Sequence, residues 1–203
     1  MIRNRLNELM TVKNVRVKDL HEKLGLSNAA ILKIRENTAL QIRYDTLDKL
    51  CKFFNVTPNE FFEYTPLDIN INSVTACDEI EKIKEADKEP NKFITLKFPD
   101  IALFVYDDSI KYHYLVEDCK YMPNNLFYIS FISAYDFSHD LKEAYPDAQQ
   151  TDKLIKDWKS LPKGFQTMLK KRLYDIIKRS FELSSTCKLI ISIDFLEDLE
   201  DEE

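Results

Sequence analysis

The 203-residue chain contains only two glycines, and the position of one of them, Gly25, restricts the fold more than any other single residue. It follows Val17, Leu20 and Leu24, whose spacing predicts a short amphipathic helix. It is followed by Leu26 and Ser27, and then by Ile31 and Ile34 on a second helical face. Glycine behind the last apolar residue of a helix can take the left-handed conformation that turns the chain sharply. Serine two residues later is a preferred N-cap, because its oxygen accepts an orphan N–H of the next helix. Two short helices joined by a tight turn are therefore expected over residues 17–35.

Apolar periodicity extends this pattern in both directions. Ile2, Leu6, Leu9 and Met10 share one face of a predicted first helix that ends near Thr11–Lys13. Tyr44, Leu47, Leu50, Cys51 and Phe54 predict a fourth helix. Thr57-Pro58-Asn59-Glu60 is a capping box with proline at the first helical position, predicting a fifth helix that contributes Phe61 and Phe62. Residues 1–64 are thus expected to form one compact all-α domain of five helices. The net charge of −6 is unevenly placed: residues 1–64 hold 11 Lys and Arg against 8 Asp and Glu, and residues 65–203 hold 18 against 27. A basic head on an acidic body has the sign that nucleic-acid binding requires.

The order of features in this region, Val17-Lys18-Asp19-Leu20-His21-Glu22-Lys23-Leu24-Gly25-Leu26-Ser27, Ile31 and Ile34, Asp45-Thr46-Leu47-Asp48-Lys49-Leu50, and Phe54-Asn55-Val56-Thr57-Pro58-Asn59-Glu60-Phe61-Phe62, resembles the Cro/CI repressor-like (Xre family) helix-turn-helix domain. The resemblance covers about a third of the chain and implies a lambda-repressor-like fold that places its third helix in the major groove. With Ser27 as cap, Asn28, Ala29, Leu32 and Lys33 point away from the Ile31/Ile34 face and become the expected base readers. An asparagine amide matches adenine N6 and N7, an alanine methyl suits a thymine methyl, and a lysine reaches guanine or phosphate. The resemblance nominates Lys18, Ser27, Arg35, Gln41 and Arg43 for phosphate contacts, which position the domain without reading sequence. Three departures stand out. Val17 occupies a place where many members have a phosphate-clamping glutamine, Asn37 a place where glycine is common, and Arg43 that of the usual capping serine.

Beyond residue 64 the resemblance ends. Residues 65–92 read as a linker carrying a short helix (Val74, Cys77, Ile80, Ile83), and residues 93–196 as an α+β domain with a mainly antiparallel sheet. The strands are expected at Phe93–Phe98, Ile101–Tyr106, Ile110–Glu117, Leu126–Tyr135 and, last, Cys187–Phe195, with a hairpin turn at Tyr106-Asp107-Asp108-Ser109. Two helices are expected at about 151–160 and 164–183. The tail 197–203 has six acids in seven residues and reads as disordered. A self-cleaving LexA-like domain is rejected, because no Ala-Gly or Cys-Gly dipeptide is present. Pro99-Asp100 with Asp118-Cys119-Lys120 fits the loose PD-(D/E)xK nuclease pattern, which turn residues at strand ends explain equally well. The stripe Lys170, Lys171, Arg172, Lys178 and Arg179 could touch DNA but is more often a solvated helix face, and the aromatics of 104–135 could line a ligand pocket but are more often a sheet core with an oligomer interface.

Cys51, Cys77, Cys119 and Cys187 are scattered, and His21, His113 and His139 do not complete a metal-ligand spacing with them, so neither zinc nor a disulfide framework is expected. No apolar run approaches the ~18 residues of a membrane span, and the first residues lack a signal-peptide core. The expected protein is a soluble, cytoplasmic, non-enzymatic regulator without cofactor or metal. It would bind double-stranded DNA as a homodimer or higher homo-oligomer, as a prophage or mobile-element repressor does, and its second domain would oligomerise, sense an effector or meet a protein partner. The alternatives are an antitoxin-like module whose acidic body binds a protein and, less favoured, a metal-dependent nuclease.

Overall fold

A computed structural model describes residues 1–72, 94–95, 102–107, 110–122, 124–133, 151–194 and 196–200. They fall into two units, Met1–Pro66 and Leu67–Glu203.

The first unit contains helices α1 (Leu6–Val12), α2 (Val17–Leu24), α3 (Asn28–Arg35), α4 (Tyr44–Phe54) and α5 (Pro58–Phe61), the last a single turn. Leu6, Met10, Leu20, Ile31, Ile34, Leu50, Cys51, Phe54 and Phe61 are buried together as its core. The unit is not all-α. Strand β1 (Ile2–Asn4) pairs antiparallel with β2 (Phe62–Tyr64), with Ile2 opposite Tyr64 and Asn4 opposite Phe62. The expected first helix therefore starts four residues late, and Ile2 is 68% exposed. The ribbon is pinned by a bifurcated ion pair: Arg3, buried, reaches Glu63 at 2.6 Å and also Glu8. The two helix-start carboxylates do what capping requires. Asp19 accepts the Arg16 N–H at 2.8 Å, and Glu60 accepts the Thr57 N–H at 2.7 Å while Thr57 Oγ1 accepts the Glu60 N–H.

Each of these backbone hydrogen bonds holds its carboxyl below the usual carboxylate range. A depressed folded-state pKa means that the stabilisation is fully present above the unfolded value and is lost as pH falls through the folded one. Acidification from about pH 5 to pH 3 is therefore expected to open the starts of α2 and α5, read by amide exchange. Glu60→Gln keeps a capping oxygen and removes the proton, so it should flatten this response at α5. An unchanged acid response in that variant would rule out Glu60 as its source.

Among the described residues, the second unit is a mixed sheet with two helices. Strands β3 (Ile69–Asn72), β5 (Ala102–Asp107), β6 (Ile110–Met122), β7 (Leu126–Ser133), β8 (Lys188–Ile193) and β9 (Leu196–Glu200) lie in that spatial order, and β4 (Ile94–Thr95) pairs with the far half of β6. The β7–β8 pair is parallel and the others are antiparallel. A parallel neighbour needs a crossover, and here it contains α6 (Asp152–Ser160) and α7 (Lys163–Ser180). These helices bury Leu154, Trp158, Phe165, Leu169, Leu173, Ile176 and Ile177, and Phe181 behind α7 lies 5.1 Å from the Phe127 ring on β7.

Two expectations are corrected. Ile69–Asn72, read as linker, is a strand, because Ile69 and Ile71 are buried while its backbone pairs with β5. Residues 197–200, read as disordered tail, belong to β9, where Leu196 and Leu199 stand opposite Ile193 and Ile191. Charged residues on such an edge strand discourage further pairing rather than pairing itself. Cys187–Phe195 is accordingly not the last strand. The expected helix at Val74–Ile83, the turn residues Asp108 and Ser109, and Asp100 lie outside the described residues.

Candidate nucleic-acid interface

The site is assembled around α2, its turn and α3. Gly25 closes α2 in the left-handed region at φ 67°, with its N–H on His21 O at 3.0 Å. A Cβ there would meet no atom within 4 Å, so it is the backbone conformation and not crowding that calls for glycine. His21 folds back over the turn, donating Nδ1–H to Leu26 O at 2.7 Å. Lys49 of α4 places Nζ 3.2 Å from Leu24 O, a cation at the negative end of α2. Ser27 Oγ then accepts the Ala30 N–H at 3.2 Å, so the serine caps α3 and still has its hydroxyl proton to give.

The far end of α3 is fixed by a reciprocal asparagine pair. Asn37, at φ 54°, places Oδ1 2.6 Å from the Asn4 N–H and 2.8 Å from Asn4 Nδ2, and its own Nδ2 donates to Asn4 O. Asn4 Nδ2 also donates to Ile34 O at 2.7 Å, and its Oδ1 caps the Leu6 N–H. Asparagine in place of the common glycine thus tolerates the left-handed turn and ties α3 to β1.

With both ends held and Ile31 and Ile34 buried, Asn28, Ala29, Leu32 and Lys33 share the outer face of α3. Asn28, Ala29 and Lys33 are exposed and Leu32 is just so; the Asn28 and Lys33 side chains have no intramolecular hydrogen bond or ion pair. The nominated phosphate cations differ. Lys18 lies 3.7 Å from Glu22, Arg35 3.2 Å from Glu36 and Arg43 3.1 Å from Asp45. The exposed pairs of Lys18 and Arg43 are worth about 0–1 kcal/mol, so phosphate can displace their acids, and the Arg35 pair is half-exposed. Gln41 is exposed, and Arg43 gives α4 no side-chain cap. Val17 packs against the core, which explains an apolar residue at the first position of α2.

A helix with a capped N-terminus, an outer face that presents an unpaired Asn28 and Lys33, and a cationic last turn is shaped for the major groove. Residues 5–66 match the family model of the Cro/C1-type HTH DNA-binding domain. They form such a domain. The HTH domain makes the chain a DNA-binding transcriptional regulator. No curated protein and no solved structure matches the chain. Besides Ile2, Val12, Leu32 and Tyr64, the HTH domain exposes two apolar side chains close to the nominated phosphate contacts. Tyr44, expected in the core, is 91% exposed, and Leu40 is fully exposed. Both flank Gln41 and Arg43, so the segment ahead of α4 carries aromatic and aliphatic surface as well as charge. In the second unit, Asp118 and Lys120 share one face of β6 and form an ion pair that raises the lysine pKa, while Asp100 lies outside the described residues. No cluster of three metal-ligating side chains occurs among the described residues. No helix among them is long and apolar enough to cross a membrane.

Proposed function

We propose that the protein is a sequence-specific, non-enzymatic repressor that binds an inverted-repeat operator as a dimer and reads it with α3. The observation that supports this is the outer face of α3, where Asn28 and Lys33 stand exposed and unpaired beside Ala29 and Leu32. Asn28 pairs with an adenine edge, Ala29 and Leu32 offer apolar contact to a thymine methyl, and Lys33 reaches a guanine or a phosphate. Lys18, Ser27, Arg35, Gln41 and Arg43 hold the backbone. One such helix reads few base pairs, so two domains on half-sites one helical turn apart supply the affinity. Dimerisation falls to the second unit, and the repressor is of the kind carried by a prophage or mobile element.

The test is selection of bound fragments from random duplex DNA at physiological salt. An inverted repeat with half-sites about 10 base pairs apart is expected. No enrichment would transfer the proposal to a protein partner of the acidic second unit. On the selected duplex, Asn28→Ala is expected to weaken binding by about 1–3 kcal/mol and to leave random duplex unaffected. Equal losses on both duplexes would remove Asn28 from base reading.

A further inference from the structure

The strongest concentration of positive charge in this acidic protein lies outside the HTH domain. Residues 151–180 hold nine Lys and Arg against three Asp, a net of +6. Residues 65–203 as a whole carry −9, which leaves −15 for the rest of that span. The structure turns this charge outward. The buried side of α6 and α7 is apolar, and Lys153, Lys156 and Lys159 on α6, with Lys163, Lys171, Arg172 and Arg179 on α7, are exposed.

A solvated helix face ordinarily mixes signs at i, i+4, because like charges at that spacing destabilise. Here Asp152, Asp157 and Asp175 stand four residues from Lys156, Lys153 and Lys171, but Lys159, Lys163 and Lys170 have no acid four residues away, so the acids offset only part of the charge. Lys153 is paired with Asp157 at 2.7 Å, whereas Lys156, Lys159, Lys163 and Lys170 have no intramolecular ion pair. In the HTH domain Lys18, Arg35 and Arg43, nominated for phosphate, are each paired with an acid. Four unpaired lysines thus lie within residues 156–170 on α6 and α7, where a polyanion would relieve their repulsion.

We propose that the outer face of α6 and α7 is a second, sequence-independent DNA-binding surface that contacts the phosphate backbone. The inference rests on the reading of the chain as a DNA-binding regulator, since duplex held by the HTH domain is at high effective concentration for a tethered second surface. Regularly spaced charge favours DNA over an acidic protein segment, and lysine serves phosphate as a point charge without demanding sequence.

Salt dependence tests this in the full-length chain. The variant Lys156→Gln/Lys159→Gln/Lys163→Gln removes three exposed charges and no packing, and circular dichroism checks its fold. Binding to a random-sequence duplex is followed by anisotropy between 50 and 200 mM salt. Each lost phosphate contact lowers the slope of log K against log salt by about 0.9, so a fall of about 2–3 is expected. The triple arginine variant should keep the wild-type slope. An unchanged slope in the glutamine variant overturns the proposal, as does a wild-type chain that binds no random duplex. A variant that loses self-association while its slope stays fixed also overturns it and assigns the face to a second copy of the chain. Failure of the operator reading looks different: random-duplex binding persists with its lysine-dependent slope, while selection recovers no repeat.

Discussion

Asn4→Ala is expected to destabilise the HTH domain by about 2–4 kcal/mol, an effect out of proportion to a three-residue strand. The Asn4 amide serves Ile34 O, Asn37 Oδ1 and the Leu6 N–H at once, and the residue is buried. Truncation leaves the Ile34 carbonyl and the first N–H of α1 without these partners, and each unsatisfied buried group costs about 1–3 kcal/mol. Urea unfolding followed by far-ultraviolet circular dichroism, with amide exchange at Leu20, Ile31 and Leu50, measures the loss. The one tryptophan, Trp158, is buried in the second unit, so its fluorescence transition should stay in place. Asn37→Gly sharpens the test. Glycine suits the φ of 54° better than asparagine does, yet the variant should be less stable because it loses both arms of the pair. In a double-mutant cycle the two changes should couple by at least about 0.5 kcal/mol. A loss below about 1 kcal/mol for Asn4→Ala would mean that water replaces the amide.

That network also shows where sequence reading stops. Gly25, Ser27 and Thr57 act through bonds within four residues of themselves, so their roles are written in local order, and the outward face of α3 follows from Ser27 and the period of 3.6. Asn4 and Asn37 find each other across 33 residues, and β1 finds β2 across about 60, so no local pattern announces them. Ile2 falls by chance in phase with Leu6, Leu9 and Met10, and the helical period absorbs a residue that is in fact on a strand. Tyr44 misleads for another reason. Side chains lean toward the helix N-terminus, so the first residue of α4 projects past the layer that Leu50 and Phe54 fill. Composition hides β9, since its acids outnumber the leucines that pair it with β8. The acidic partners of Lys18, Arg35 and Arg43 lie within four residues of them, so these pairs, too, are written in local order.

Leu20→Ala is expected to cost the HTH domain about 3–5 kcal/mol, the largest single effect proposed for it. Leu20 is fully buried in the core that also holds Ile31 and Leu50, and it is the one buried residue of α2. A 66-residue unit at about 0.05–0.15 kcal/mol per residue holds only about 3–10 kcal/mol in all, so the variant loses about a third of that stability or more. No DNA contact is removed, and the loss should therefore behave as a folding penalty. Apparent affinity falls by the fraction folded, whereas operator at 100 times its Kd restores about 2.7 kcal/mol and raises the melting temperature of the domain. Asn28→Ala should do the reverse, leaving the melting temperature of the free protein in place and shrinking the rise that operator gives. If excess operator fails to rescue Leu20→Ala, the packing of α2 on α3 sets the reading geometry itself, and the recognition surface cannot be treated as a rigid face that merely needs to be folded.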